Sequence, residues 1–253
     1  MPHAFLLVVC GLFGLVVGSF LNVVVWRVPR HESVVRPGSH CPSCDTELGA
    51  LENIPVLSWV VLRGRCRHCH ARISARYPLV EAGTAALCAL VVVAKGADQD
   101  ALLGLVLVLL LVPVTLIDLD HRIIPNKLML IGAVVAPAIV LLVSPQDIAE
   151  HLIAGVAAGG FFLLAALAYP RGMGMGDVKL AAVLGLFLGR AVGPAVFIAL
   201  LAGTLVGAVV IARKGAVEGR KTAVPFGPFL ALGAVCALLV GDALVDVYLS
   251  TFA

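Results

Sequence analysis

The chain has 253 residues, 61% of them apolar and only 13% charged, with a formal net charge of +3. That balance excludes an ordinary soluble domain. Several apolar runs reach the length of about 20 residues that a helix needs to cross a hydrocarbon core of about 30 Å. The expected fold class is an all-α polytopic membrane protein of about eight transmembrane helices with a small zinc-ribbon-like cytoplasmic loop.

The first span, residues 4–26, contains only Ser19 and Asn22 as clearly polar residues. It is too long for a signal-peptide core, no Lys or Arg precedes it, and no small-residue cleavage site follows, so it reads as a retained membrane helix. The next segment, 27–77, is the one long polar stretch. Cys41-Pro42-Ser43-Cys44 is followed there, after 21 intervening residues, by Cys66-Arg67-His68-Cys69. Two such units at this spacing are what a tetrahedral zinc site with Cys41, Cys44, Cys66 and Cys69 as ligands requires. A cytoplasmic loop disfavours disulfides, and a loop without a core of its own gains order from a metal staple. His40, His68 and His70 adjoin the pairs, but four thiolates already complete the shell. The other cysteines, Cys10, Cys88 and Cys236, fall in apolar runs and read as small buried residues. The arginines of this loop serve as topology determinants and contacts to anionic membrane lipid. No aromatic stacking pattern accompanies them, only Trp59 and Tyr77, so a nucleic-acid partner is not expected.

Further spans follow at 78–96, 100–118, 127–144, 148–169, 177–189, 191–212 and 225–249. The stretch 177–189 is short enough for a re-entrant or tilted half-helix. Eight spans place both termini on one side. Arg27, Arg30, Arg36, Arg63, Arg65, Arg67, Arg72, Arg76, Arg122, Lys127, Arg171, Lys179, Arg213, Lys214, Arg220 and Lys221 fall on one face, against Lys95 and Arg190 on the other. That split of 16 to 2 makes the cysteine loop cytoplasmic and the termini external. Gly155, Gly159, Gly160, Gly203, Gly207 and Gly233, often beside Ala, suit close helix packing.

Carboxylates at the edges of membrane spans are costly and usually functional. Asp118 ends the third span, in Ile117-Asp118-Leu119-Asp120, and Asp177 opens the sixth, in Gly174-Met175-Gly176-Asp177-Val178-Lys179. Both lie at the cytoplasmic depth, so one pocket can hold the two. Acid–base hydrolysis needs such a pair, one carboxylate taking a proton from water and one acid polarising the scissile carbonyl. Asp120 lies about 200° around a helix from Asp118, and composition does not choose between them. The plainer account makes Asp177 a helix cap and Asp118 and Asp120 interfacial charges near Arg122. Gly172, Gly174 and Gly176 form a side-chain-poor approach against which an extended peptide could lie. Lys179 is offset from Asp177 and is expected to reach for head groups or screen charge rather than take part in chemistry.

Gly174-Met175-Gly176-Asp177-Val178-Lys179 resembles the GxGDxK signature of the type IV prepilin leader peptidases, the bacterial branch of the GxGD membrane aspartyl proteases. Asp118-Leu119-Asp120-His121-Arg122-Ile123-Ile124-Pro125-Asn126 resembles that family's other aspartate motif. So do Gly18 to Pro29, Glu52-Asn53-Ile54-Pro55-Val56-Leu57-Ser58-Trp59, Arg76 to Glu81 and the turn Pro225-Phe226-Gly227-Pro228. The resemblance implies Asp118 and Asp177 as the catalytic pair, with Asp120 auxiliary. It implies prepilin or pseudopilin precursors as substrates. It also implies a second activity, methylation of the new N-terminal amine from S-adenosylmethionine, associated with the loop 27–77, while 1–26 is a first helix and 78–253 the protease bundle. No residues for binding adenosylmethionine emerge from the sequence; Glu52 and Glu81 are the nearby acidic candidates. The alternatives are a peptidase without methyl transfer and an ion transporter, and against the transporter the charges lie at the helix ends rather than mid-span.

Overall fold

A computed structural model describes residues 3–96, 98–170, 172–215 and 224–252. Nine α-helices account for most of them: α1 (His3–Arg27), α2 (Leu57–Val61), α3 (Arg76–Lys95), α4 (Gln99–His121), α5 (Asn126–Val143), α6 (Ile148–Ala168), α7 (Met175–Leu188), α8 (Val192–Lys214) and α9 (Gly227–Phe252). Among the described residues there is no strand, only two isolated bridges in the polar loop. Helices are what a membrane requires, since every backbone donor and acceptor must be satisfied within the segment.

The long helices coincide with the expected spans, with one difference. Among the described residues seven stretches are long and apolar enough to cross a membrane, because α7 and α8 run as one stretch, Met175–Lys214, through a 3-10 turn at Gly189–Ala191. The expected separate span 177–189 is real as a helix, but its 14 residues reach only about 21 Å. Helix α7 ends at Gly189, whose φ of 53° suits glycine. A short α7 is tolerable because protein encloses it: Val178, Leu180, Ala181, Val183, Leu184, Phe187 and Leu188 are all buried, so nearly every face meets protein rather than lipid.

The molecule divides into two compact units, Met1–Ala101 and Leu102–Ala253. In the first, α1 packs on α3 through Gly14 and Gly18, where an added Cβ would meet the α3 backbone at Ala85 and Glu81 within 2.7 and 2.9 Å. In the second, α7 is the centre. Gly155 and Gly159 of α6 let Ala182 and Leu186 approach, and Gly185 of α7 sits against the Ala154 carbonyl. Helices α8 and α9 run antiparallel, Gly233 against Ala195 and Gly203 against Phe226 and Phe229. The expected close packing thus holds at Gly155, Gly159, Gly203 and Gly233. Gly160 and Gly207 meet open space instead. Of the charges used to orient the chain, Arg171, Arg220 and Lys221 lie outside the described residues.

Candidate active site and metal centre

Helix α4 continues past the expected end at 118 to His121, so Asp118 and Asp120 both stand on helix and face different ways. Asp118 is 5% exposed, whereas Asp120 is exposed. Burial therefore selects Asp118 as the carboxylate held inside the second unit. The helix stops one turn later, where Arg122 takes a φ of 56° and its N–H donates to the Asp118 carbonyl.

Asp118 is fixed by a residue far along the chain. The N–H of Gly227, 109 residues away, donates to Asp118 Oδ2 at 2.9 Å. Gly227 opens α9, and its N–H is one of the amide donors that a helix start leaves unpaired. Glycine lets the turn approach this closely: a Cβ built there would lie 2.6 Å from that same oxygen, and the carboxyl would have to shift. The preceding Phe226 anchors the turn, its ring 5.9 Å from the fully buried Phe162 of α6 and 6.1 Å from Phe229. The sequence singled out this Pro-Phe-Gly-Pro turn but gave it no role. Its missing side chain was the available signal.

Asp177 occupies the third position of α7, and its Oδ2 accepts the N–H of Gly174 at 3.3 Å. It is part-buried and near enough to Asp118 for the two carboxyls to interact electrostatically. The two aspartates that the sequence paired thus lie within electrostatic range of each other. The flanking motifs also interlock. Gly176 packs on Ile124, where a Cβ would come within 3.0 Å of the isoleucine, and Lys179 Nζ donates to Asn126 Oδ1 at 2.8 Å. That bond ties the start of α7 to that of α5. Gly176 serves this contact, and Gly174 serves Asp177 itself. Together they hold the loop after Asp118 against the helix that carries Asp177.

The metal centre lies in the first unit. The sulfurs of Cys41, Cys44, Cys66 and Cys69 are all within 4.8 Å of one another, and Cys41 and Cys69 are 3.8 Å apart. Four bonds of about 2.3 Å at tetrahedral angles place sulfurs about 3.8 Å apart, so the thiols fit zinc. Each pair sits in the same turn. Cys41 N–H donates to Thr46 O and Asp45 N–H to Cys41 O; Cys66 N–H donates to Ala71 O and His70 N–H to Cys66 O. Asp45 and His70, each following the second cysteine of its pair, take φ of 54° and 56°. The two bridges, His40 with Glu47 and Arg65 with Arg72, close these turns. Two copies of one local structure thus face each other across the thiols. The Cys44 thiol is pulled down to about 6, chiefly by its contact with the Thr46 hydroxyl, and that of Cys66 is lowered by the N–H groups of Cys69 and His68. Both shifts favour the thiolate that binds metal, while the Cys69 thiol beside them is pushed up to about 11.

The two acidic candidates of this unit are already engaged. Glu52 accepts the Gly49 N–H at 2.8 Å and faces His68 at 3.8 Å. Glu81, buried in α3, accepts the N–H of Val56 at 2.7 Å. A cavity of about 320 Å³ runs between α1 and the loop, lined in part by Ser19, Arg27, Ser39 and Asn53. Arg27 spends its guanidinium on the carbonyls of Ser33, Pro37 and Gly38.

Comparison with known proteins agrees with this geometry. The family described as Bacterial Peptidase A24 N-terminal domain matches residues 12–95, and the Type IV leader peptidase family matches 105–212. A protein of Aeromonas hydrophila named prepilin leader peptidase/N-methyltransferase is 38% identical over 95% of this chain and 93% of its own length. Proteins of the same name from Bacillus subtilis (strain 168), at 36%, and Pseudomonas aeruginosa, at 35%, cover 94% and 98% of the chain. No solved structure matches. With relatives of this identity along nearly its whole length, the chain belongs to the type IV leader peptidase family.

Proposed function

We propose that this multi-pass inner-membrane protein cleaves the leader from prepilin or pseudopilin precursors with Asp118 and Asp177, then methylates the new N-terminus from S-adenosylmethionine. What supports the peptidase reading is a buried Asp118, held by Gly227, within electrostatic range of Asp177 at the start of α7. One carboxylate takes a proton from water as the water oxygen adds to the scissile carbonyl carbon, and the other, as the acid, gives its proton to the carbonyl oxygen. Collapse of the tetrahedral intermediate breaks the C–N bond, and the leaving amine takes a proton back. No covalent enzyme intermediate forms.

The loop 27–77 is assigned to methyl transfer and the helices 78–253 to the peptidase, with both aspartates inside the second compact unit. The methyl transfer rests on the names of the relatives. Zinc on Cys41, Cys44, Cys66 and Cys69 is structural, stapling the two knuckles. The charge asymmetry supports a cytoplasmic loop and external termini. Membrane lipid surrounds the helices, and the apolar stem of the substrate stays within it. Incubating the purified protein with a synthetic prepilin in detergent should give, by mass spectrometry, a shortened product carrying one added methyl. An intact substrate overturns the reading, and a shortened, unmethylated product in the presence of adenosylmethionine removes its second half.

Gly227→Ala is expected to lower the rate of leader cleavage by about 100-fold, because an added Cβ pushes the Asp118 carboxyl out of place and a misplacement of about 1 Å in a reacting geometry costs about that much. A Gly227→Ala enzyme that cleaves at the wild-type rate would show that the close approach of Gly227 does not set the position of the Asp118 carboxyl.

A further inference from the structure

The loop that carries the four cysteines also carries an apolar surface that the knuckles do not use. Leu57, Val60 and Val61 of α2 are 56, 58 and 68% exposed, and nearby Leu51 is 73% exposed. At positions i, i+3 and i+4, the three residues of α2 share one helical face. A soluble loop would not hold out such a face, and a contiguous apolar patch with a polar rim marks a surface meant to meet something.

Its position is fixed from inside the membrane. Pro55, Val56 and Leu57 form a tight turn in which Leu57 N–H donates to Pro55 O. Val56 takes φ 59° and ψ −49°, a costly conformation for a β-branched residue that persists only where the surroundings impose it. Here they do: Val56 N–H is held by Oε2 of the buried Glu81. Glu81 stands in the second turn of α3, a helix long and apolar enough to cross a bilayer. It lies five residues below Arg76, a depth of about 8 Å along the helix. Helix α2 therefore leaves the strained turn at the level where hydrocarbon gives way to head groups. Trp59, whose ring rests against Gly64 and whose Nε1 donates to Ile73 O at 3.1 Å, is the kind of residue that favours this level.

The charges come next in the chain. Arg63, Arg65 and Arg67 are exposed, and with His70 they line a cavity of about 500 Å³ that opens just beyond the apolar face. Among the described residues none of the three forms an ion pair. Apolar side chains and free guanidinium groups side by side, at a depth set by a membrane helix, match the two chemistries of a phospholipid surface. A soluble phosphate would answer only the arginines, and an apolar partner only α2.

We propose that α2 and the arginines after it form an interfacial anchor: Leu57, Val60 and Val61 insert beside the acyl chains, and Arg63, Arg65 and Arg67 bind the phosphates of anionic phospholipid. The anchor holds the zinc knuckles against the bilayer. This inference depends on the chain being embedded in a membrane, not on the aspartate chemistry.

The test is hydrogen exchange, read by mass spectrometry over residues 57–67 of the full-length zinc-loaded protein. It compares nanodiscs of phosphatidylcholine with nanodiscs of equal parts phosphatidylcholine and phosphatidylglycerol. Exchange in this segment is expected to be about tenfold or more slower on the anionic membrane. The triple variant Arg63→Gln, Arg65→Gln, Arg67→Gln should lose that difference while keeping its zinc. If the variant loses its zinc, the comparison of the two lipids with the wild type decides alone. Equal exchange on both membranes overturns the proposal. So does equal protection by inorganic phosphate in neutral detergent, which would make the site one for a free anion. Protection that arises only when a prepilin is added would give the surface to a protein and overturn it as well.

Discussion

Asp118→Asn and Asp177→Asn are each expected to lower leader cleavage by about 10⁴-fold, the range lost when a positioned acid–base group is removed. Asparagine keeps the shape of the side chain. In Asp118→Asn the side-chain oxygen still accepts from the Gly227 N–H, so the loss reads the chemistry rather than the fold. Neither amide takes a proton from water or serves as an acid. Because the two carboxyls act on the same water and carbonyl, the double variant should be little worse than either single one. The measurement is single-turnover cleavage of a synthetic prepilin, with methylation of a pre-cut pilin as the control. Cleavage by either variant within tenfold of wild type, a margin far inside the expected loss, rules the pair out as the catalytic groups. Asp120→Asn serves as the contrast, since Asp120 is exposed on the other side of α4, and it should cleave at close to the wild-type rate.

Substitution of Cys41 and Cys44 by serine should take the protein from about one zinc per chain to none, since two of the four thiolates of a closed structural site are gone. Structural zinc sites carry apparent binding free energies of about 10–16 kcal/mol at neutral pH, and in a small loop that energy is folding energy. The loop has no sheet beyond two isolated bridges to hold it otherwise. Loss of zinc should therefore melt residues 40–72 and abolish methyl transfer. Both aspartates lie in the other compact unit, and cleavage should survive at a measurable rate. Metal analysis of the purified protein and exchange of the loop amides check this together. A wild-type protein that purifies without metal, or a double-serine variant that keeps its zinc, overturns the assignment.

Much of this was legible in the sequence because the signals are local. An apolar run of about 20 residues leaves a chain in lipid no choice but a helix, so the positions of α1, α3, α4, α5, α6, α8 and α9 followed from composition. The four cysteines announced their shell by spacing alone, and the knuckle turns need only the residues between them. The depth of Asp118 and Asp177 followed from where the apolar runs end.

What the sequence by itself determined is thus a bundle of membrane helices, a four-thiol loop and two carboxylates at one level. The tertiary structure alone decided that Asp118 rather than Asp120 turns inward, because α4 runs one turn further than its apolar run. It alone decided that Gly227 holds that carboxyl, that Lys179 bonds Asn126, and that Glu81 imposes a strained turn on Val56. These pairings join residues 25 to 109 positions apart. None carries a periodic trace: each is a single contact between a loop or helix end and a distant partner, and only the packing of the bundle brings the two together.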